Sequence, residues 1–119
     1  MPSVDPARSV PILTARLVIR NTSALPLSLL FNSGQQYDLA IRNEAGQQVF
    51  LWSLGKLFTQ GQTRLDLSPG EKAFVIATPL GDRSGKAFPE GRYTVEGWLT
   101  PSAGKLYSAT VPFEIKYTF

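Results

Sequence analysis

The chain has no cysteine and no histidine. The first absence removes disulfides and thiolate metal sites. The second removes the usual general base, the commonest metal ligand and the side chain that changes charge near neutral pH. There is no basic run either: the 12 Lys and Arg residues are scattered, and the net charge is +3. Nucleic-acid-binding domains cluster such residues on one face, often among stacking aromatics, so no nucleic-acid partner is expected. No apolar stretch approaches the roughly 20 residues that span a bilayer. The longest, Leu25 to Phe31, is broken by Pro26 and Ser28, and no membrane association is expected. The N-terminus also lacks the basic and apolar regions of a signal peptide. The expected compartment is the cytoplasm, with export as the alternative if Met1-Pro2-Ser3 replaces a leader.

Amphipathic helical periodicity, internal repeats and low-complexity tracts are missing as well. What remains is strand pattern. The 119 residues fit one domain, and 43% hydrophobic with 18% charged residues is a globular balance. Ten glycines and nine prolines, spread along the chain, suit short strands joined by tight turns. Residues 1–9 read as a flexible arm and residues 10–119 as a single domain. Ala15, Leu17 and Ile19 alternate with Arg16, Val18 and Arg20. After a turn at Asn21-Thr22-Ser23, the inward set continues as Leu25, Leu27, Leu29 and Phe31. Tyr37, Leu39 and Ile41 form a third strand with Asp38 and Arg42 outward, and Asn43 to Gly46 closes a hairpin onto residues 47–52. Leu65 and Leu67 mark a short strand that ends at Ser68-Pro69-Gly70, a type II turn sequence. Residues 78–91 read as a long connection, and the last strand runs from about Leu106 to Tyr117 with Pro112 at an edge or bulge.

These seven to eight strands predict an antiparallel β-sandwich. Tyr93 makes the expectation immunoglobulin-like. A Tyr two residues after a turn Gly, opening a late strand, has the position of a tyrosine corner, whose hydroxyl bonds backbone just upstream.

Little in the chain points to reaction chemistry. Ser53-Leu54-Gly55-Lys56 has the Ser-x-x-Lys spacing of acyl-serine enzymes, which need the two side chains one helical turn apart. Here Gly55 interrupts a segment that follows a strand, and the companion Ser-Asp-Asn and Lys-Thr-Gly motifs are missing. Gly81 to Ala87 lacks the spacing and the Ser or Thr of a phosphate loop. The nine carboxylates show no metal-loop spacing. The expectation is no enzyme, no cofactor and no metal.

Two stretches combine aromatics with glycine and small polar residues: Phe31 to Leu39 and Trp52 to Gln60. Their aromatics serve either as core or as contact residues, since binding hot spots also place aromatic anchors in a polar frame. As a contact segment, Trp52, Ser53, Lys56, Leu57, Phe58, Thr59 and Gln60 are the candidate protein-binding residues. Asp82, Arg83, Lys86 and Phe88, in the long connection, form a second candidate loop.

The pattern Phe31-x-Ser33-Gly34-Gln35-x-Tyr37-Asp38-Leu39, followed by Trp52-Ser53-x-Gly55-Lys56-x-Phe58-Thr59-Gln60, resembles the intracellular proteinase inhibitor family. Leu67-x-Pro69-Gly70-Glu71 and Gly91-x-Tyr93-x-Val95 extend the resemblance over residues 12–117. It implies an immunoglobulin-like domain without a cofactor that binds and blocks a cytoplasmic, subtilisin-like serine protease. A monomer is expected. The alternative is a non-inhibitory immunoglobulin-like interaction or adhesion module.

Overall fold

Alternating side chains separated by Gly and Pro turns resolve into eight strands in the computed structural model, which describes residues 10–82 and 84–117. The strands are β1 (Ile12–Asn21), β2 (Leu27–Ser33), β3 (Tyr37–Asn43), β4 (Gln48–Leu51), β5 (Gln60–Leu67), β6 (Gly70–Pro79), β7 (Gly91–Leu99) and β8 (Leu106–Ile115). All pairings are antiparallel: β1 with β6, β2 with β5, and a four-stranded sheet in the order β4-β3-β7-β8. No helix occurs among the described residues. The expected arm, residues 1–9, lies outside them.

The core joins the two layers of this sandwich. Leu39, Ile41, Tyr93 and Ile115 from the four-stranded sheet pack with Ile76 and Leu80 from the β6 side. A second cluster joins Leu17, Ile19 and Phe74 to Leu67 and Leu99. In the register, Leu17 stands opposite Phe74 and Ala15 opposite Ile76, so one face of the β1-β6 ribbon supplies both clusters. Phe31 is fully buried. Truncating such a ring to Ala removes about 3–5 kcal/mol.

The pairings β1-β6 and β2-β5 follow one another along two segments of the chain, from Asn21↔Gly70 to Leu27↔Leu67. Five residues are skipped on one side and two on the other. Asn21 fills the break. Its amide donates to the carbonyls of Leu25 and Leu67, both at 2.9 Å, while its Oδ1 accepts from the Ser23 N–H and hydroxyl. Gly70 has φ 107°, as the Pro-Gly turn requires. Leu25 therefore lies outside the strand, 73% exposed, and does not extend the inward row. Pro26 has no N–H for a ladder, and the Leu25 carbonyl is already taken.

Three further expectations change. β5 begins at Gln60, earlier than the Leu65–Leu67 stretch suggests. β4 ends at Leu51, so Trp52 belongs to a turn. The connection expected over 78–91 is largely structured. β6 runs to Pro79, Gly81 bridges Ala87, and the Phe88 N–H donates to the Leu80 carbonyl. The Tyr93 hydroxyl donates to the Pro89 carbonyl at 2.7 Å, four residues upstream, and its ring stacks between Phe88 and Phe113.

Strand β8 holds an edge of the sheet and carries Pro112 there, as expected. Its pairing with β7 slips between Gly97 and Leu99, and Tyr107 sits in this bulge with φ 55°. The left-handed region suits Gly and strains other residues by about 1–2 kcal/mol. On the outer face, Glu96 receives Arg42 at 3.0 Å, Lys105 at 2.5 Å and the Ser108 hydroxyl. Partial burial alone would raise its pKa. The hydrogen bonds from Lys105, Ser108 and Arg42 outweigh burial and bring it down to about 2.

Two outcomes are expected from these features. Tyr107→Gly raises the unfolding free energy measured in urea by up to about 1 kcal/mol once the backbone entropy of Gly is subtracted, whereas Tyr107→Val lowers it. Glu96 has a depressed pKa when folded, so its contribution is complete above its ordinary value of 4.5 and is lost as the pH falls toward about 2. In Glu96→Gln this part of the acid destabilisation is absent. Urea titrations across that pH window measure the difference between the two proteins.

Candidate functional site

The two aromatic-polar stretches meet at one end of the sandwich. Phe31 to Leu39 runs from β2 through a turn into β3, and Trp52 to Gln60 crosses from β4 to β5. The two crossings hold each other. The Gly34 N–H donates to the Thr59 carbonyl at 2.9 Å. A Cβ added at Gly34 would stand 3.3 Å from the Thr59 Cβ, so the close approach itself explains this Gly. The Thr63 hydroxyl adds a bond to the Ser33 carbonyl.

Asp38 is the second tie. Strand alternation does place it on the outer face of β3, but it is only 6% exposed, because the turn after β4 folds over it. Its Oδ1 accepts the N–H groups of Leu39 at 2.8 Å and Ser53 at 3.0 Å, and its Oδ2 accepts the Ser53 hydroxyl at 2.5 Å. The adjacent Trp52 N–H donates to the Leu39 carbonyl. Two overlapping turns follow. Leu54 N–H donates to Leu51 and Lys56 N–H to Ser53, with Gly55 at φ 84° between them.

A row of rings continues this order. Trp52 lies 4.9 Å from Tyr37, and Tyr37 lies 5.6 Å from Phe74 in the core. Trp52 also meets Phe58 at 5.8 Å and the Lys56 ammonium at 4.7 Å from the ring. Such contacts add about 0.5–1.5 kcal/mol beyond burial for a ring pair. Trp52 and Phe58 are half-buried, so they are both framework and surface. Leu57 between these anchors is 99% exposed. Thr59 and Gln60 are exposed where β5 begins.

The Ser-x-x-Lys pair is not arranged for proton transfer. Ser53 gives its hydroxyl hydrogen to Asp38, and Lys56 lies over Trp52. Among the described residues no hydrogen bond joins the two side chains, and no three acidic residues converge on a possible metal position.

The second candidate segment is a closed turn. Asp82 Oδ1 accepts the N–H groups of Ser84 at 2.9 Å and Lys86 at 3.0 Å, and the Ser84 hydroxyl at 2.6 Å. The Ser84 hydroxyl, then the Lys86 backbone, hold the Asp82 pKa below its ordinary value. Asp82 and Lys86 are exposed, and Arg83 lies outside the described residues. Phe88 is 7% exposed and packs in the core against Tyr93, so its ring is framework rather than surface. Leu54 of the first candidate segment and Asp82 of the second line one open groove with Leu51, Pro79 and Gly81, and none of Trp52, Ser53, Lys56, Leu57, Phe58, Thr59 and Gln60 does. Sequence reasoning missed Asp38 and Gly34 as the supports of this site. Gly34 lies in the first aromatic-polar stretch, but its partner Thr59, twenty-five residues downstream, has no local signal.

Asp38→Ala leaves the Ser53 N–H without its partner and is expected to lower stability by about 1–3 kcal/mol. Amide exchange of residues 53–56 should accelerate more than exchange of β7. Equal acceleration in both would show that Asp38 does not act locally.

A family model described as intracellular proteinase inhibitor matches residues 3–104. The match takes in both aromatic-polar stretches and the segment between β6 and β7, and stops before β8. No curated protein matches the chain.

Proposed function

The chain belongs to the intracellular proteinase inhibitor family, and we propose that it inhibits a subtilisin-like serine protease by placing the segment Trp52 to Gln60 in or across the protease cleft. The observation that carries this reading is a protruding segment fixed at both ends. Asp38 and the Leu39 carbonyl hold its start, Gly34 holds Thr59, and Trp52 supports Lys56 and Phe58 from below. A segment already ordered loses little conformational entropy on binding, which favours affinity. Without disulfides, this order rests on hydrogen bonds and ring contacts alone.

The turn at Asp82 to Lys86 serves as the second contact, since it shares a groove with Leu54. An interface of about 1,600 Å² in total, the standard size for protease complexes with inhibitors, is larger than either segment offers alone. The action is steric: no catalytic group, cofactor or metal takes part, and the inhibitor works in the cytoplasm as a monomer.

We read the sandwich as immunoglobulin-like. The order β4-β3-β7-β8 and the β2-β5 pairing parallel the C′CFG and BE neighbours of that fold, and the Tyr93 bond to Pro89 supports the corner. The β1-β6 pairing departs from its usual order.

Adding the protein in rising molar ratio to a subtilisin-type protease is expected to suppress hydrolysis of a peptide substrate near equimolarity. Unchanged hydrolysis at large excess, with the domain itself digested, would overturn inhibition of this protease class. It would favour the non-inhibitory interaction module.

A further inference from the structure

We infer that Leu57 is the side chain by which the target protease recognises this inhibitor, and that the target's primary specificity pocket is apolar and uncharged. The inference rests on the inhibitory reading above and adds the partner's pocket chemistry to it.

The segment sorts its side chains by what already holds them. Trp52 stacks on Tyr37, and Ser53 bonds Asp38. The Lys56 ammonium lies over the Trp52 ring, and the Phe58 ring packs on the same indole. The residues on either side of Leu57 are therefore fixed by one platform, while Leu57 is 99% exposed. Full exposure of a large aliphatic side chain at the tip of a braced segment matches an anchor awaiting a pocket. Nothing in the fold requires Leu at this position, because the side chain touches no core cluster.

The neighbours narrow the pocket chemistry. A protease with an acidic pocket floor takes Lys or Arg, and Lys56 is the cation nearest the tip. Its ammonium is engaged by Trp52 and would have to leave that ring to enter such a pocket. Leu57 presents a branched hydrocarbon with no charge or hydrogen-bonding group. A pocket lined by apolar groups fits it, and a carboxylate at the floor would be left unpaired by it. Leu54, at 63% exposure, lies on the groove shared with Pro79 and Asp82 rather than between the anchors, and it belongs to the flanking contact.

Inhibition constants of the wild type, Leu57→Ala, Leu57→Lys and Leu54→Ala, each checked for an unchanged unfolding midpoint, test this. The probes are a subtilisin-type protease with an apolar pocket and a trypsin-type protease with an acidic one. Leu57→Ala is expected to weaken inhibition of the first by about 30-fold or more, as hot-spot truncations do. Leu54→Ala is expected to change it far less. Leu57→Lys should lose the first enzyme and gain the second. If the wild type inhibits the subtilisin-type enzyme and both Leu57 variants match it, the pocket assignment is wrong and the inhibitory reading survives. Stronger inhibition of the trypsin-type enzyme by the wild type would also overturn the assignment, with Lys56 as the anchor. If the wild type inhibits neither, the inhibitory reading fails, and the assignment with it.

Discussion

The crossing from the four-stranded sheet to β5 has no strand partner, so its backbone groups must find hydrogen bonds elsewhere. Asp38 supplies the first, beside the Leu39 carbonyl, the turn bonds of Leu54 and Lys56, and Gly34. One carboxyl group, lifted out of solvent on the outer face of β3, receives the Ser53 N–H and hydroxyl and fixes where the crossing begins. Trp52 is then set against Tyr37, and through Tyr37 against Phe74 in the core. Phe58 and Lys56 take their positions from Trp52. A burial of this kind is costly unless the lone pairs are used, and here they are. The order of the protruding segment thus depends on a polar group placed where alternation alone would leave it in water.

The strands were legible because an apolar face recurs with period two in most of them. Leu17 and Ile19 in β1, Leu39 and Ile41 in β3, and Phe74 and Ile76 in β6 recur at every second position, with the exposed Val18 and Val75 and the small Ala40 between them, and period two carries that information locally. Tyr93 was readable for a similar reason, since its partner Pro89 is four residues away. The misses share a cause. Leu25 looks like another inward residue, and only the Asn21 side chain, reaching across to Leu67, shows that the ladder is broken there. Asp38 looks outward, and only the fold-over of Ser53 covers it. Residues 78–91 look like a loop, and the Gly81 to Ala87 bridge closes them. For Leu25 and Asp38 the deciding bond joins residues distant in sequence, whereas the Gly81 to Ala87 bridge is local and is closed by the turn at Asp82.

The candidate site divides in the same way. The two aromatic-polar stretches stood out in the sequence, and they do meet in space. Whether their rings are core or surface had no single answer in residue types. Phe31 is fully buried, Trp52 and Phe58 are shared between framework and surface, and Leu57 is free. A segment built on half-buried rings is stiff without disulfides, which suits a chain with no cysteine.

The β1-β6 pairing reaches from Ile12 to Pro79, more than half the chain. The β3-β4 and β7-β8 pairings join neighbours in sequence. Local ladders close quickly, and distant ones wait on the entropy of the intervening loop. During synthesis β1 leaves the ribosome before β6 and has no ladder partner until Gly70 and the residues after it follow, so Leu17 and Ile19 stay uncovered until Phe74 and Lys72 emerge. Arg16 and Arg20 on that strand then act as charged guards against premature association between nascent chains.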